Sequence, residues 1–227
     1  MLYTKTVEKE TLALIQQLQR DPALDAFHLV GGTALSLKIG HRKSIDIDLF
    51  THQHFDAGAL SSHLENKYGL DGKGILRNAV FGYIDGVKID IVAHQYPLIN
   101  PPEVIDRVRM LSLHDIGAMK LNAIYSSGRR LKDFVDMHFL LENHSLSVFM
   151  KAFETKYDLP KQMAEAALMY HHDIDMDVDI KYMGRQIPWK EVEQRLRHSM
   201  LRTSKVFKGE QIRIKRSTGR DKGQRFR

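Results

Sequence analysis

Residues 31–50 set the tightest limit on what this chain can become: GGTALSLKIGHRKSIDIDLF. Two glycines close an apolar run at Phe27, Leu29 and Val30, and a short helical segment follows. The stretch then ends in strict alternation, Ser44-Ile45-Asp46-Ile47-Asp48-Leu49-Phe50. Successive side chains of a strand point to opposite faces, so Ile45, Ile47 and Leu49 can enter a core while Asp46 and Asp48 share the other face. Carboxylates held side by side repel unless a cation lies between them or they share a proton. A divalent ion is the common resolution, and Mg²⁺ is held by one or two carboxylates together with substrate phosphates. The glycines upstream suit a close approach of backbone to phosphate. Taken singly, a D-x-D on an exposed strand is ordinary solvated surface and a Gly-Gly is an ordinary turn. Their conjunction, with Ser44 between them and a third acid downstream, is far more specific.

Ahead of this stretch, residues 5–19 read as an amphipathic helix with Val7, Leu12, Leu14, Ile15 and Leu18 as its stripe, stopped at Asp21-Pro22. A strand over 26–30 feeds the glycines, and 33–39 reads as a short helix with Thr33 as its N-cap. Residues 52–68 read as a further helix. Strands over 75–83 and 87–92, joined at Asp85-Gly86, make a hairpin. The outgoing strand repeats the phase of the first, with Val87, Ile89 and Ile91 on one face and Lys88 and Asp90 on the other. Laid beside the D-x-D strand, it brings Asp90 to Asp46 and Asp48. Three carboxylates on adjacent strands are what a two-metal phosphoryl-transfer site requires.

After Pro97 and Pro101-Pro102 the pattern turns helical. The expected organisation is a sheet-containing core over 1–100 that carries the metal site, a helical lobe over 101–203 that completes it, and a basic, flexible tail over 204–227. Ser112-Leu113-His114-Asp115 is a capping box that opens a helix bearing Lys120. The next helix, 129–141, puts Asp133 and Asp136 on nearly one face beside Arg129, Arg130 and Lys132, which on spacing alone reads as a salt-bridged surface. Helices over 145–157 and 160–171 follow. His171-His172-Asp173-Ile174-Asp175-Met176-Asp177-Val178-Asp179 is rich in metal-ligand types, but no glycine cradle precedes it and it offers little core side, so it reads as an exposed linker. Pro188-Trp189 starts a last helix to Leu201.

Charge is uneven along the chain. From residue 201 onward ten Lys/Arg stand against two acids, a sum of +8, so with a total of +6 the first 200 residues carry −2. A tail of that composition suits counterion-release binding to nucleic-acid phosphates. There is no cysteine, hence no disulfide frame and no thiolate metal site. No signal-peptide core or membrane-length apolar run is present, which leads to the expectation of a cytoplasmic protein without a membrane partner.

Gly31-Gly32-Thr33 followed by Ser44-x-Asp46-x-Asp48 resembles the signature of the DNA-polymerase-β-like nucleotidyltransferase superfamily. With Lys120 in MKLNAI and the later RRLKDFVD, residues 25–141 look more narrowly like the AbiEii/AbiGii group, nucleotidyltransferase toxins of type IV toxin–antitoxin and phage-abortive-infection systems. The resemblance implies an α+β fold, a small mixed β-sheet of nucleotidyltransferase type flanked by helices, followed by an α-helical C-terminal lobe. It implies transfer of a nucleotide from an NTP to an acceptor, RNA and notably the tRNA acceptor end, and an antitoxin partner. Carried over, Gly31, Gly32 and Ser44 would contact the triphosphate, with Thr33 and Arg42 beside them. Asp46 and Asp48 would bind Mg²⁺, with Asp90 as the superfamily's third acid. Lys120 would neutralise phosphate charge, and Asp133 or Asp136 would complete the later motif. Two rivals stand beside this reading: an NTP-dependent modification of a protein acceptor, and a non-catalytic module that binds nucleic acid through its basic tail.

Overall fold

The computed structural model describes residues 1–208 of the chain. Its centre is a seven-stranded mixed sheet in the order β3-β4-β5-β2-β1-β7-β6. The strands are β1 (His28–Leu29), β2 (Ile47–Thr51), β3 (Asp71–Leu76), β4 (Ala79–Ile84), β5 (Val87–Ala93), β6 (Glu103–Ile105) and β7 (Val108–Met110). Strands β2 and β5 run parallel, with Ile47 opposite Ile89, Asp48 opposite Asp90 and Leu49 opposite Ile91. The shared phase of the two segments is therefore a real register. Ile47, Leu49, Ile89 and Ile91 are all buried on the core side.

Helices α1 (Lys9–Leu18), α2 (Gly31–Ile39) and α3 (Ala57–Tyr68) accompany the sheet. Then come α4 (Leu113–Ser126), α5 (Leu131–Leu140), α6 (Leu146–Tyr157), α7 (Lys161–Met169) and α8 (Trp189–Leu201). Helix α4 starts as its capping box requires, Ser112 Oγ accepting from the Asp115 N–H at 3.1 Å. The Asp115 carboxylate does not close the box on Ser112 N–H. It accepts instead from the Ile99 and Asn100 N–H groups and from Lys156 Nζ, at 2.9, 3.2 and 2.9 Å, tying the linker after β5 to α4 and α6. One apolar core runs from the sheet through Ile116, Leu121, Phe134, Phe149 and Leu196, so sheet and helices form a single packed body.

The sequence expectation departs from the structure at several places. The strand expected over 75–83 is two strands, β3 and β4, turned at Arg77-Asn78, because six consecutive exposed residues in β3 leave no alternation to read. The change to helix after Pro97 is delayed by the β6–β7 hairpin, whose β7 pairs in parallel with β1 through Leu29 and Met110. These strands have three residues each, too short to show a period. Helix α3 begins at Ala57 on an Asp56 cap rather than at residue 52. Of the tail expected from residue 204, Phe207 is buried and its N–H donates to the Leu141 carbonyl at 2.9 Å. Residues 209–227 lie outside the described part.

Candidate active site

Helix α2 starts two residues earlier than its expected cap. Val30 is the N-cap and makes no side-chain hydrogen bond to the first turn, which leaves N–H groups there for a ligand. Thr33 sits inside the helix. Its hydroxyl donates to the Asp46 carbonyl and meets the Ser44 hydroxyl at 2.9 Å. This contact holds the residue 44–46 segment against α2, so Asp46 lies just before β2 rather than on it.

Both glycines are fixed by close neighbours. Gly31 has φ of +68°, and a Cβ there would lie 2.1 Å from Asp48 Oδ2. A Cβ at Gly32 would lie 2.5 Å from an Arg42 guanidinium nitrogen and 3.2 Å from Ser44 Oγ. Only glycine lets the first turn of α2 press against the acidic end of β2 and against Arg42 at once.

Two cavities meet here. The first, about 190 Å³, is lined by Gly32, Ser44, Asp46 and Asp48 and by six cations, Arg42, Lys43, Lys120, Arg130, Lys132 and Lys181. The second, about 280 Å³, is more apolar, with Phe50, Met119, Asn122, His94 and Tyr157 among its walls. Gly32, Asp48, Lys120 and Arg130 line both. Burial, then the charges of Asp90 and Asp46, push the Asp48 carboxyl up to about 6, with Lys120 opposing. Burial and Lys156 push His94 down to about 4, and its Nε2 lies 3.2 Å from the Tyr157 hydroxyl.

Asp90 lies opposite Asp48, as its phase requires, but lines neither cavity. Lys88 Nζ donates to its Oδ2 at 2.5 Å, and its buried Oδ1 has no partner. Among the described residues no three His, Asp or Glu side chains stand together closely enough to hold an ion by themselves. The donor set nevertheless fits Mg²⁺. Asp46 and Asp48 offer hard oxygens in numbers that suit an ion completed by substrate phosphates. The buried Asp90 Oδ1, in the strand position opposite Asp48 and without a partner, is a further hard oxygen next to them.

Helix α5 supplies the counter-charges from behind, and here the surface reading of its acids fails. Asp133 and Asp136 are both buried. Lys120 Nζ reaches Asp133 Oδ1 and Asp136 Oδ2, each at 2.7 Å. Arg42 adds a two-pronged contact to Asp136 at 2.7 and 2.9 Å, and His41 Nε2 lies 2.8 Å from the same carboxylate. Burial alone would raise the Asp136 carboxyl, but Arg42, Lys120 and His41 hold it well below the usual range. Asp133 lines the second cavity, whereas Asp136 lines neither and acts through the cations it holds. Spacing reached only part of this: Arg130 lies 3.6 Å from Asp133, but the closer partners of Asp133 and Asp136 come from another helix and a loop.

The sequence pattern of the family described as nucleotidyl transferase AbiEii toxin, type IV toxin–antitoxin system, matches residues 13–70 and 76–199. The chain belongs to the AbiEii family. As an AbiEii protein it is a nucleotidyltransferase, and the family's toxin–antitoxin setting implies an NTP substrate and an antitoxin. The uncharacterized protein aq_aa25 of Aquifex aeolicus (strain VF5) is 28% identical over 197 residues, 84% of this chain and 94% of its own. A crystal structure assigned as a nucleotidyltransferase from H. pylori shares the fold with a TM-score of 0.54 at 20% identity, covering 87% of this chain and 96% of that one. JHP933 from Helicobacter pylori aligns with a TM-score of 0.46 at 19% identity, over 87% of this chain and 94% of its own. No helix among the described residues is long and apolar enough to cross a membrane.

Within this AbiEii fold the structure brings Gly31, Gly32, Thr33, Arg42, Ser44, Asp46, Asp48, Lys120 and Asp133 to one place, with Asp136 directly behind and Asp90 beside it. Sequence reasoning missed His41, His94, Tyr157 and the segment 175–183. That segment straps the first cavity. Asp175 N–H donates to the Arg129 carbonyl at 2.9 Å, Lys43 N–H to the Lys181 carbonyl at 2.7 Å, and Met183 N–H to the His41 carbonyl at 3.0 Å. Asp179 and Lys181 thereby line the cavity. The expected exposed linker is there, with Asp173, Asp175 and Asp177 outward, but Ile174 and Ile180 are buried beneath it. The alternation in 171–179 was the available signal for a strap.

Proposed function

We propose that this AbiEii protein transfers a nucleotide from an NTP to RNA, with the tRNA acceptor end as the expected substrate, in a reaction that needs Mg²⁺. The observation that carries the reading is the Asp48 carboxylate itself, pressed on Gly31 and placed where a cationic cavity joins an apolar one. The first turn of α2, Ser44, Arg42 and Lys120 hold the triphosphate. The six cations lining that cavity outnumber its three carboxylates, Asp46, Asp48 and Asp179, and suit a polyanion. Asp46 and Asp48 would hold Mg²⁺, and the chemistry it would supply is Lewis-acid polarisation of the acceptor hydroxyl and of the phosphate oxygens. Lys120 lines both cavities, a fixed positive charge beside the negative charge that develops on the phosphates. Asp133 and Asp136 keep Lys120 charged and aimed, and Asp136 does the same for Arg42. The second cavity shelters the nucleoside or the acceptor end from water.

The basic rim of Arg130, Lys132, Lys43 and Lys181 supports an RNA acceptor over a protein one. The test is incubation of the full chain with each labelled NTP, Mg²⁺ and either total tRNA or total protein. Label should appear in tRNA for the wild type and not for Asp46→Ala. Full transfer by Asp46→Ala would end the assignment, and label in protein alone would replace RNA as the acceptor.

A further inference from the structure

In an NTP the nucleoside and the leaving pyrophosphate are joined to the same α-phosphate. With the triphosphate in the cationic cavity and the α-phosphate at Asp48, the nucleoside extends into the adjoining cavity of about 280 Å³, which Asp48 and Lys120 also line. Phe50, Met119, His94 and Tyr157 form part of its wall, and the rings of Phe50 and His94 lie 5.4 Å apart, tilted by 33°. Such a wall holds a base by stacking, which gives affinity with little choice, because every base has a π-face. Choice needs a hydrogen-bonding group that is free to meet the edge of the base.

Most polar groups of this cavity are already committed or lie outside it. Lys120 Nζ holds Asp133 Oδ1 at 2.7 Å, and the Tyr157 hydroxyl lies 3.2 Å from His94 Nε2. Ser126 and Arg130 are exposed. Asn122 differs from all of these. It is half-buried on α4, three residues beyond Met119 and so on nearly the same face. Its amide makes no hydrogen bond to any described residue, and both amide atoms keep accessible surface.

We propose that the base of the NTP lies in this cavity and that Asn122 selects it, the side-chain amide meeting a base edge that sets one donor beside one acceptor. This rests on the placement of the triphosphate in the cationic cavity. The amide offers a carbonyl acceptor and an N–H donor together. Adenine matches it with N6–H and N1, and cytosine with N4–H and N3. Guanine alone sets two donors side by side, N1–H and N2–H. Asn122→Asp, which only accepts, therefore matches guanine better than any other base.

The test is calorimetric titration of the full chain as wild type, Asn122→Asp and Asn122→Ala. The ligands are ATP, GTP, CTP and UTP in turn, with Mg²⁺ and no acceptor, and inorganic triphosphate as the probe without a base. The readout is the ratio of affinities between bases, because an added charge or a packing defect at position 122 acts on every NTP alike. Asn122→Asp should raise the affinity for GTP relative to each other NTP by about tenfold. Asn122→Ala keeps a good helix former in α4, and should narrow the spread among the NTPs while leaving triphosphate bound as in the wild type. Ratios that are unchanged in both variants, or that move toward a base other than guanine in Asn122→Asp, overturn this inference alone when triphosphate still binds. A wild type that does not bind triphosphate overturns the placement of the phosphates and this inference with it.

Discussion

Asp48 is held at an energetic disadvantage, and the size of that disadvantage can be measured. Its carboxyl stands at about 6 against an ordinary 3.8, raised first by burial and then by Asp90 and Asp46. A rise of about 2 units corresponds to about 3 kcal/mol between the two protonation states. The sign follows from linkage. Between the two pKa values the folded chain binds the proton more tightly than the unfolded chain, so stability falls as pH rises through that window. The penalty is absent below about pH 3.8 and complete above about pH 6. Asp48→Asn removes it while keeping the shape. At pH 8 the variant should gain up to about 3 kcal/mol, or about 6–12 °C in melting temperature for a domain of this size. Near pH 4 the gain should shrink toward zero. Mg²⁺ should stabilise the wild type and not the variant, since the ion supplies what the substitution makes unnecessary. Nucleotide transfer should be lost throughout. Thermal unfolding of both proteins at pH 4 and pH 8, with and without MgCl₂, tests all four points. If Asp48→Asn is no more stable than the wild type at pH 8, the account of a strained carboxylate is wrong.

Asp136→Ala strands Arg42 and His41 and leaves Lys120 with Asp133 alone, and loss of one partner of a buried pair costs about 3–5 kcal/mol. Urea unfolding should show that loss, and a cost under about 1 kcal/mol would mean that the network does not hold these cations. Gly31→Ala meets Asp48 Oδ2 at 2.1 Å with a positive φ, so it should cost at least about 1 kcal/mol and abolish transfer even where the chain still folds. Apparent Mg²⁺ affinity, read from the metal dependence of transfer, should weaken as pH falls through about 6, because a proton then competes for Asp48. A flat response between pH 7.5 and 5.5 would remove Asp48 from the metal site.

How much was legible depended on how far each signal reached along the chain. The pairing of β2 with β5 was readable because a period of two needs only a few residues, and both segments carry it in phase. The limits of α8 matched the expectation because Pro188 fixes its start and its stripe is regular. The β6–β7 hairpin was invisible, since three-residue strands next to Pro101-Pro102 carry no period and owe their place to pairing with β1. Asp46 was placed on a strand by alternation, but the Thr33 hydroxyl takes up its carbonyl and β2 begins one residue later, at Ile47. Asp136 looked like surface because helical spacing describes neighbours on the same helix and is blind to Arg42, 94 residues away.

The same contrast explains the build of the site. Its front carries carboxylates that repel one another, and its back carries Asp136, whose two oxygens are matched by three cationic or N–H partners. Asp136 spends its oxygens on Arg42, His41 and Lys120, and so fixes two cations at the edge of a cavity without letting them turn to neutralise Asp48. Were Lys120 free to swing forward, it would pair with Asp48 and quench the need for a metal. Tethered by Asp133 and Asp136 at 2.7 Å each, it leaves Asp48 short of positive charge until an ion and a triphosphate arrive together. Substituting the tether should therefore weaken Mg²⁺ dependence and NTP binding at the same time. Asp133→Asn is the mild version. It keeps the shape of the contact, loosens Lys120, and should lower the Asp48 carboxyl toward its ordinary range. A ¹³C-carboxyl titration that finds Asp48 unchanged in Asp133→Asn would show that Lys120 is not held back in this way.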